Sequence, residues 1–547
     1  MSRDYGVRAR RVIAIGIDGA TWNIILPWVK AGKLPHFRAA ISRGAWGSLT
    51  SVIPPITAPA WASLLTGMCP EKTGIYDFFV VKTKFPPAIR LASSAKVRKR
   101  NIITMLSDVG LRVAAINIPM MYPPPPVNGL LITGIDTPIG GKFAYPDELY
   151  LKLVKEGFFP EPRRLYLPGR EEEFLSSIHE SMEKLTGLFI DVLEGDYDFV
   201  MLFLRETDLV CHTFWRFMDK NHPLYPGCTK YSGAILKVYQ GVDKLLGEAI
   251  RRRRNDDFLI IFSDHGFGPE YYRVNLNVWF LNKGYMVLKS DLVTIIKKGI
   301  SLVIDYSRLW NFASRMKLIN RVAADFKVKE TEIGRRSLLS STFLSIDDVD
   351  WDQTSAYAIG SIGRCLPVFL RDRRMTKRIV RDIFSLNCLL GRRVVRSVVV
   401  RRSSGDDSCS EEGIIYPDLF VMFAEPYAGH TLALPYIFES PSLVHLSPLT
   451  QSGAHTMQGI LCIMGPKLAK GRVIRHAHIM DLMPTISAIF GINPPKDVDG
   501  DILPIIKDYL KEKNIRLSDY VRFKVKAKAA RIRGMLKGYR ATRDAGG

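Results

Sequence analysis

Cysteine is scarce in this sequence and scattered. The seven are Cys69, Cys211, Cys228, Cys365, Cys388, Cys409 and Cys462, and no two form a CxxC pair. An odd, dispersed set argues against a disulfide framework and against a cysteine zinc site. Long apolar runs are also missing: no stretch approaches the ~20 uncharged apolar residues of a membrane span. The first residues are charged and lack the apolar region of a secretory signal; the run Val12–Ile17 behind them is too short to serve and leads straight into Asp18. These absences predict a cytoplasmic protein. No internal repeat is visible. Acidic residues are in deficit, 54 against 77 Lys and Arg, for a formal net charge of +23. Such a charge suits nucleic acid, an anionic membrane surface or an anionic substrate, and equally a solvated basic surface; charge alone does not choose.

What is present is ordinary globular material in quantity. Hydrophobic residues make up 47% of 547 and charged residues 24%, enough to bury a large core. Short apolar runs read as buried strands: Val12–Ile17, Val113–Ile118, 130–133, Phe199–Leu204, Phe258–Phe262, 368–370, 394–400, Leu419–Phe423 and 460–464. Their continuous rather than alternating character predicts strands covered on both faces. Helical patterns lie between them at 37–44, 61–65, 172–193 and 236–252. Strands alternating with helices predict an α/β fold with a largely parallel or mixed sheet. Residues 287–345 differ: Leu292, Ile295, Ile296, Ile300 and Val303 recur near helical spacing in a basic context, as in an inserted helical cap or surface subdomain. Residues 401–412 read as a polar surface loop. The expected division is therefore a core in two parts, 10–286 and 346–505, an insert at 287–345, and a basic tail at 506–547. Nine Lys or Arg and no acid fall within 521–543.

Four segments place metal-type ligands beside an apolar strand. Asp18-Gly19 follows the first strand, where open α/β sheets bind ligands. Asp208 and His212 are spaced i, i+4, which sets a carboxylate and an imidazole on one helical face; both are donors that Zn²⁺ accepts. Ser263-Asp264-His265-Gly266-Phe267-Gly268 follows Phe258–Phe262, and its glycines permit tight backbone geometry. His455 closely precedes the run 460–464, with His476 and His478 as rivals for its role. Taken singly, each has a plain alternative: a turn, an i,i+4 ion pair, a surface or structural histidine. A fifth segment, Ile56-Thr57-Ala58-Pro59-Ala60-Trp61, puts a threonine at the start of a helical stretch. Threonine there reads as an N-cap. The free amides of a helix N-terminus also suit a phosphoryl group, and a hydroxyl among them becomes a nucleophile if a metal lowers its pKa.

Together and in order, these five segments resemble the alkaline phosphatase superfamily, and within it the type I phosphodiesterase/nucleotide pyrophosphatase family. The run Asp481-Leu482-Met483-Pro484-Thr485, followed by Gly491 and by Asp499-Gly500, resembles its C-terminal signature. The likeness spans roughly residues 10–505. It implies an alkaline-phosphatase-like three-layer sandwich, with a central mixed, mostly parallel sheet between helices. It implies two divalent metal ions, Zn²⁺ or Mn²⁺: one held by Asp18, Asp264, His265 and Thr57, the other by Asp208, His212 and His455. It implies that Thr57 attacks phosphorus and forms a covalent phospho-threonine. In one respect the sequence departs from the family pattern. The branch carries an Asn some way after the nucleophile, but the first Asn after Thr57 is Asn101. The Cys/Ser-x-Pro-x-Arg signature of sulfatases is absent at Thr57, and the phosphoglycerate mutase relatives use Ser.

The expected activity is thus a metal-dependent phosphohydrolase, acting on phosphodiesters, with a phosphorylated small molecule or a lipid headgroup as substrate. Two alternatives stay open. A phosphotransferase or phosphomutase would pass the Thr57-bound group to another acceptor, which a water-excluding cap at 287–345 would favour. A catalytically inactive basic binding protein would keep the fold alone. The basic tail would make peripheral contact with an anionic membrane; nucleic acid is not expected as a specific partner.

Overall fold

The computed structural model describes residues 11–160, 166–303, 344–361, 363–401, 413–430 and 442–517. All but Arg401 of the expected surface loop at 401–412, most of the insert (304–343) and the basic run 521–543 lie outside them.

Nine strands form the main sheet. From one edge to the other they are Val473–His478, Ala45–Thr50, Gln458–Met464, Phe258–Phe262, Val12–Ile17, Phe199–Leu204, Val113–Ile118, Gly129–Thr133 and Ala144–Tyr145. The five from Phe258–Phe262 to Gly129–Thr133 run parallel. Gln458–Met464 is antiparallel to both of its neighbours, and Ala144–Tyr145 to its one. Every residue of Val12–Ile17, Phe199–Leu204 and Phe258–Phe262 is buried. Successive side chains point to opposite faces, so Val12 and Ala14 join one apolar cluster while Ile13, Ile15 and Ile17 join another. The first cluster is closed by helices Thr57–Thr66, Ile102–Asp108, Leu482–Ile489 and Pro504–Glu512. The second is closed by Pro35–Arg43, Glu171–Glu194, Glu206–Met218 and Ala234–Arg252. Two helical layers about a mixed sheet make the three-layer α/β sandwich.

Two features differ from the sequence reading. The runs at 368–370, 394–400 and 419–423 do not join this sheet. They belong, as Cys365–Leu370, Val395–Val400 and Leu419–Phe423, to a separate antiparallel sheet with its own core. An apolar run marks burial and does not name its neighbour. The tail boundary at 506 falls inside the helix Pro504–Glu512, whose Ile505, Ile506, Tyr509 and Leu510 are buried in the main core. Its spacing of apolar residues among lysines is that of a packed surface helix.

The register fixes the site. Ile17 lies opposite Leu204, and Gly16 opposite Phe262. The residues after each strand, Asp18, Arg205 and Ser263-Asp264, therefore emerge together at the carboxyl edge of the parallel strands.

Candidate active site

Each ligand-type side chain is delivered by a different local device. Asp18 follows its strand directly; its N–H donates to the Leu204 carbonyl at 2.9 Å and its own carbonyl accepts from the Thr207 hydroxyl at 2.6 Å. The next residue, Gly19, turns the chain with φ 64°, where a Cβ would stand 2.7 Å from the Phe267 ring. Asp208 and His212 sit one turn apart on the helix Glu206–Met218, with Oδ1 and Nε2 at 3.3 Å. Asp264 and His265 occupy the turn after Phe258–Phe262, where Asp264 Oδ1 accepts from the amides of Gly19 at 3.4 Å and His265 at 3.1 Å. His455 comes from a two-stranded antiparallel ribbon, Gly266–Pro269 with Gly453–Thr456.

The ribbon is so tight that a Cβ on Gly266 would lie 2.0 Å from the Gln458 carbonyl oxygen. Gly266→Ala should therefore cost ~1–3 kcal/mol in urea unfolding and lower activity, because the ribbon carries His455.

Thr57 begins its helix but does not cap it. Ile56 is the N-cap and makes no side-chain cap bond, which corrects the N-cap reading. One turn on, Trp61 is fully buried and meets Phe203 at 4.7 Å and Phe262 at 5.8 Å between ring centroids. Those two rings come from the strands that lead to Asp208 and Asp264, so Trp61 holds the Thr57 helix against the same edge. Thr57 Oγ1 comes within 3.4 Å of His265 Nε2.

The side chains gather into two groups: Asp18, Asp264 and His265, and Asp208, His212 and His455. In the first, His265 Nε2 lies 3.3 Å from Asp18 Oδ1 and 3.6 Å from Asp264 Oδ2. In the second, His455 Nε2 lies 3.0 Å from Asp208 Oδ1 and 2.9 Å from His212 Nε2. The rings of His265 and His455 stack at 3.8 Å, joining the groups. His476 and His478 are exposed on the edge strand Val473–His478, outside both groups. Asn101 is buried as the cap of the helix Ile102–Asp108 and accepts from the Thr104 amide.

The profile of the type I phosphodiesterase/nucleotide pyrophosphatase family matches residues 12–333. The chain belongs to that family. Among solved structures it is similar to phosphonoacetate hydrolase from Sinorhizobium meliloti in complex with phosphonoformate, at 14% identity over 87% of this chain and 94% of that one, TM-score 0.46. It is similar to human ectonucleotide pyrophosphatase/phosphodiesterase 5, at 13% identity over 93% and 100%, TM-score 0.45. It is also similar to the murine form of that protein, at 12% identity over 92% and 99%, TM-score 0.47. No curated protein matches the chain.

In this family member the proton inventory shows what the two groups lack. His212 Nδ1 faces the Gly453 carbonyl at 2.9 Å, and His455 Nδ1 faces the Pro55 carbonyl at 3.0 Å. A carbonyl only accepts, so each Nδ1 carries a proton and each Nε2 points inward; burial keeps His455 neutral, whereas burial at His212 is outweighed by the Asp208 carboxylate, which raises that ring. Two imidazole Nε2 atoms and a carboxylate oxygen then converge, and without a metal ion only a proton on His212 would join them. In the other group, both oxygens of Asp18 and Oδ2 of Asp264 are buried without a hydrogen-bond partner. Buried acceptors left facing one another are costly unless a cation joins them. Both donor sets, oxygen and imidazole nitrogen, fit a divalent ion of the Zn²⁺ or Mn²⁺ kind. The two backbone carbonyls orient the rings, and sequence reading missed them because a carbonyl has no residue signature.

Charge states follow the same logic. Burial, with Asp264 and Asp208 adding, raises Asp18 well above its ordinary value, and burial, with Asp208 adding, pushes Asp264 up to about 7. Burial would also raise Asp208, but His212 and His455 outweigh it and hold it well below the carboxylate range. Burial lowers His265 and His455 and keeps them neutral.

A carboxyl raised in the folded state stabilises the fold below its unfolded pKa, and that stability is lost as pH rises through the folded value. After chelation, Asp264→Asn should therefore be more stable than the wild type at pH 8, by on the order of 4 kcal/mol if the shift is fully expressed. The gap should close by about pH 3, below both pKa values. Added Zn²⁺ should reverse the order. Thermal unfolding at the two pH values checks this, and a gap independent of pH would contradict it.

Proposed function

We propose that this protein is a metal-dependent phosphohydrolase that cleaves phosphodiesters through a phospho-threonine on Thr57. The observation that carries the reading is the placement of the Thr57 hydroxyl at a helix N-terminus, beside one of two buried groups of unsatisfied metal-type donors. In this reading Asp18, Asp264, His265 and Thr57 hold one divalent ion and Asp208, His212 and His455 the other. The ions supply Lewis acidity, lowering the pKa of the nucleophile and offsetting charge on the transferring group.

The protein's own residues do the rest. The amides of Thr57 and Ala58 lie in the first helical turn, without intrahelical acceptors, and face the phosphoryl oxygens. Trp61 fixes the helix, so Thr57 Oγ is aimed before substrate arrives. Thr57 Oγ attacks phosphorus in line as the ester oxygen departs, and water then cleaves the phospho-threonine and restores the hydroxyl. Family membership favours a diester. The commitment of Asn101 to a helix cap, with no earlier Asn after Thr57, supports diesters over nucleotide pyrophosphates.

The reading is tested by p-nitrophenol release from bis-p-nitrophenyl phosphate and from p-nitrophenyl phosphate with Zn²⁺ or Mn²⁺. Faster diester cleavage is expected. A strong monoester preference would move the assignment to a phosphatase or mutase.

A further inference from the structure

The helix Leu292–Val303 is built inside out. Thr294 and Lys297 are buried, at 2% and 8% exposure, while Leu292, Val293, Ile295 and Ile296 are 72, 59, 56 and 53% exposed. The inward face is tied down. Lys297 Nζ donates to both oxygens of Asp348, at 2.9 and 3.1 Å, and the Thr294 hydroxyl donates to Asp291 at 2.9 Å. The amide and hydroxyl of Ser345 complete the Asp348 shell at 2.7 and 3.0 Å. Breaking a buried ion pair leaves an uncompensated charge, so the roll of this helix is fixed and its aliphatic side chains are committed outward. Four large aliphatics within five residues form the kind of patch that marks a binding surface.

Exposed cations outnumber acids nearby, Asp291 being the acid that adjoins the patch. Lys289 and Lys298 are exposed on either side of the patch. Tyr285, seven residues before Leu292, donates its hydroxyl to Asp382 at 2.5 Å and lies under Arg378 at 5.8 Å; both partners belong to the helix Thr376–Leu389. On and just before that helix Arg374, Lys377, Arg378 and Arg381 are exposed. Residues 371–401 carry ten Lys or Arg against two acids. Among the described residues no helix is long and apolar enough to cross a membrane, and at ~1.5 Å per residue this one is too short to do so.

We propose that the helix Leu292–Val303 docks on an anionic lipid surface. Leu292, Val293, Ile295 and Ile296 enter the layer beneath the headgroups, and the cations around them face lipid phosphates. Exposed Lys289 and Lys298 on either side of the apolar patch, on a chain of +23 charge, favour this occupant over another copy of the same protein. The docking is independent of the chemistry at Thr57.

The test is flotation of the full, metal-loaded chain with phosphatidylcholine vesicles, with and without phosphatidylglycerol. The wild type should float with the anionic vesicles, less so at high salt. The Ile295→Asp, Ile296→Asp double variant should bind them at least about tenfold more weakly, with its thermal midpoint and its hydrolysis of a soluble diester unchanged. In the wild type, vesicles containing phosphatidylglycerol should slow hydrogen exchange across 292–300, a readout that needs no variant. Unchanged vesicle binding by the double variant, or no slowing of exchange, would overturn the proposal. So would a sharp fall in the variant's thermal midpoint, which would mean that the chain itself covers the face. A shift from dimer to monomer in the variant would assign the face to a second copy and overturn it too.

Discussion

Thr57→Ala should lower kcat for a diester by about 10³-fold or more, while the protein keeps its fold. The loss corresponds to ~4 kcal/mol of transition-state stabilisation, the scale expected when a nucleophile is removed and the residual rate comes from electrostatics and binding alone. The fold should survive because the helix is anchored by Trp61, and the Thr57 side chain itself supplies no cap bond. Metal should largely survive as well, since Asp18, Asp264 and His265 remain in that group. Thr57→Ser keeps the hydroxyl and should retain activity within about tenfold. Steady-state kinetics on bis-p-nitrophenyl phosphate reads both variants. A Thr57→Ala enzyme within a few-fold of wild type would remove Thr57 from the mechanism.

Asp208→Asn should be nearly as damaging, for a different reason. Asp208 Oδ1 is the shared neighbour of two imidazoles, at 3.3 Å from His212 and 3.0 Å from His455. Replacing it leaves two neutral Nε2 atoms 2.9 Å apart with only an amide beside them. Metal content should fall from two equivalents towards one, and activity by about 10²-fold or more, since a two-metal clamp loses half of its charge. Because the Asp18 group is untouched, the remaining equivalent should be lost only when Asp18 or Asp264 is changed. Elemental analysis of protein purified without chelator, alongside the rates, checks this. Two retained equivalents would contradict the division into groups.

The sequence made the strands of the main sheet legible because they are covered on both faces. Val12–Ile17, Phe199–Leu204 and Phe258–Phe262, and Val113–Ile118 apart from Asn117, were readable as apolar runs with the same ends as in the fold. Ala45–Thr50 and Val473–His478 were not, since both are partly exposed and mix polar with apolar residues. Asp18, Asp208, His212, Asp264, His265 and Thr57 stood out because each lies at or shortly after a strand end or at a helix start. His455 had the weakest local signal. Its position depends on the ribbon pairing Gly266–Pro269 with Gly453–Thr456, a long-range register that no local pattern encodes. The outward turn of Leu292–Val303 was equally hidden. Apolar spacing predicts a helix with a buried apolar face, whereas here the Lys297–Asp348 ion pair decides which face goes in.

The stereochemistry at phosphorus tests the central claim most directly. Hydrolysis of the Rp isomer of a phosphorothioate diester in ¹⁸O water reports whether one or two in-line displacements occur. Two displacements, with Thr57 as the intermediate carrier, predict net retention of configuration. Net inversion would mean that water attacks phosphorus directly, and would contradict a phospho-threonine mechanism.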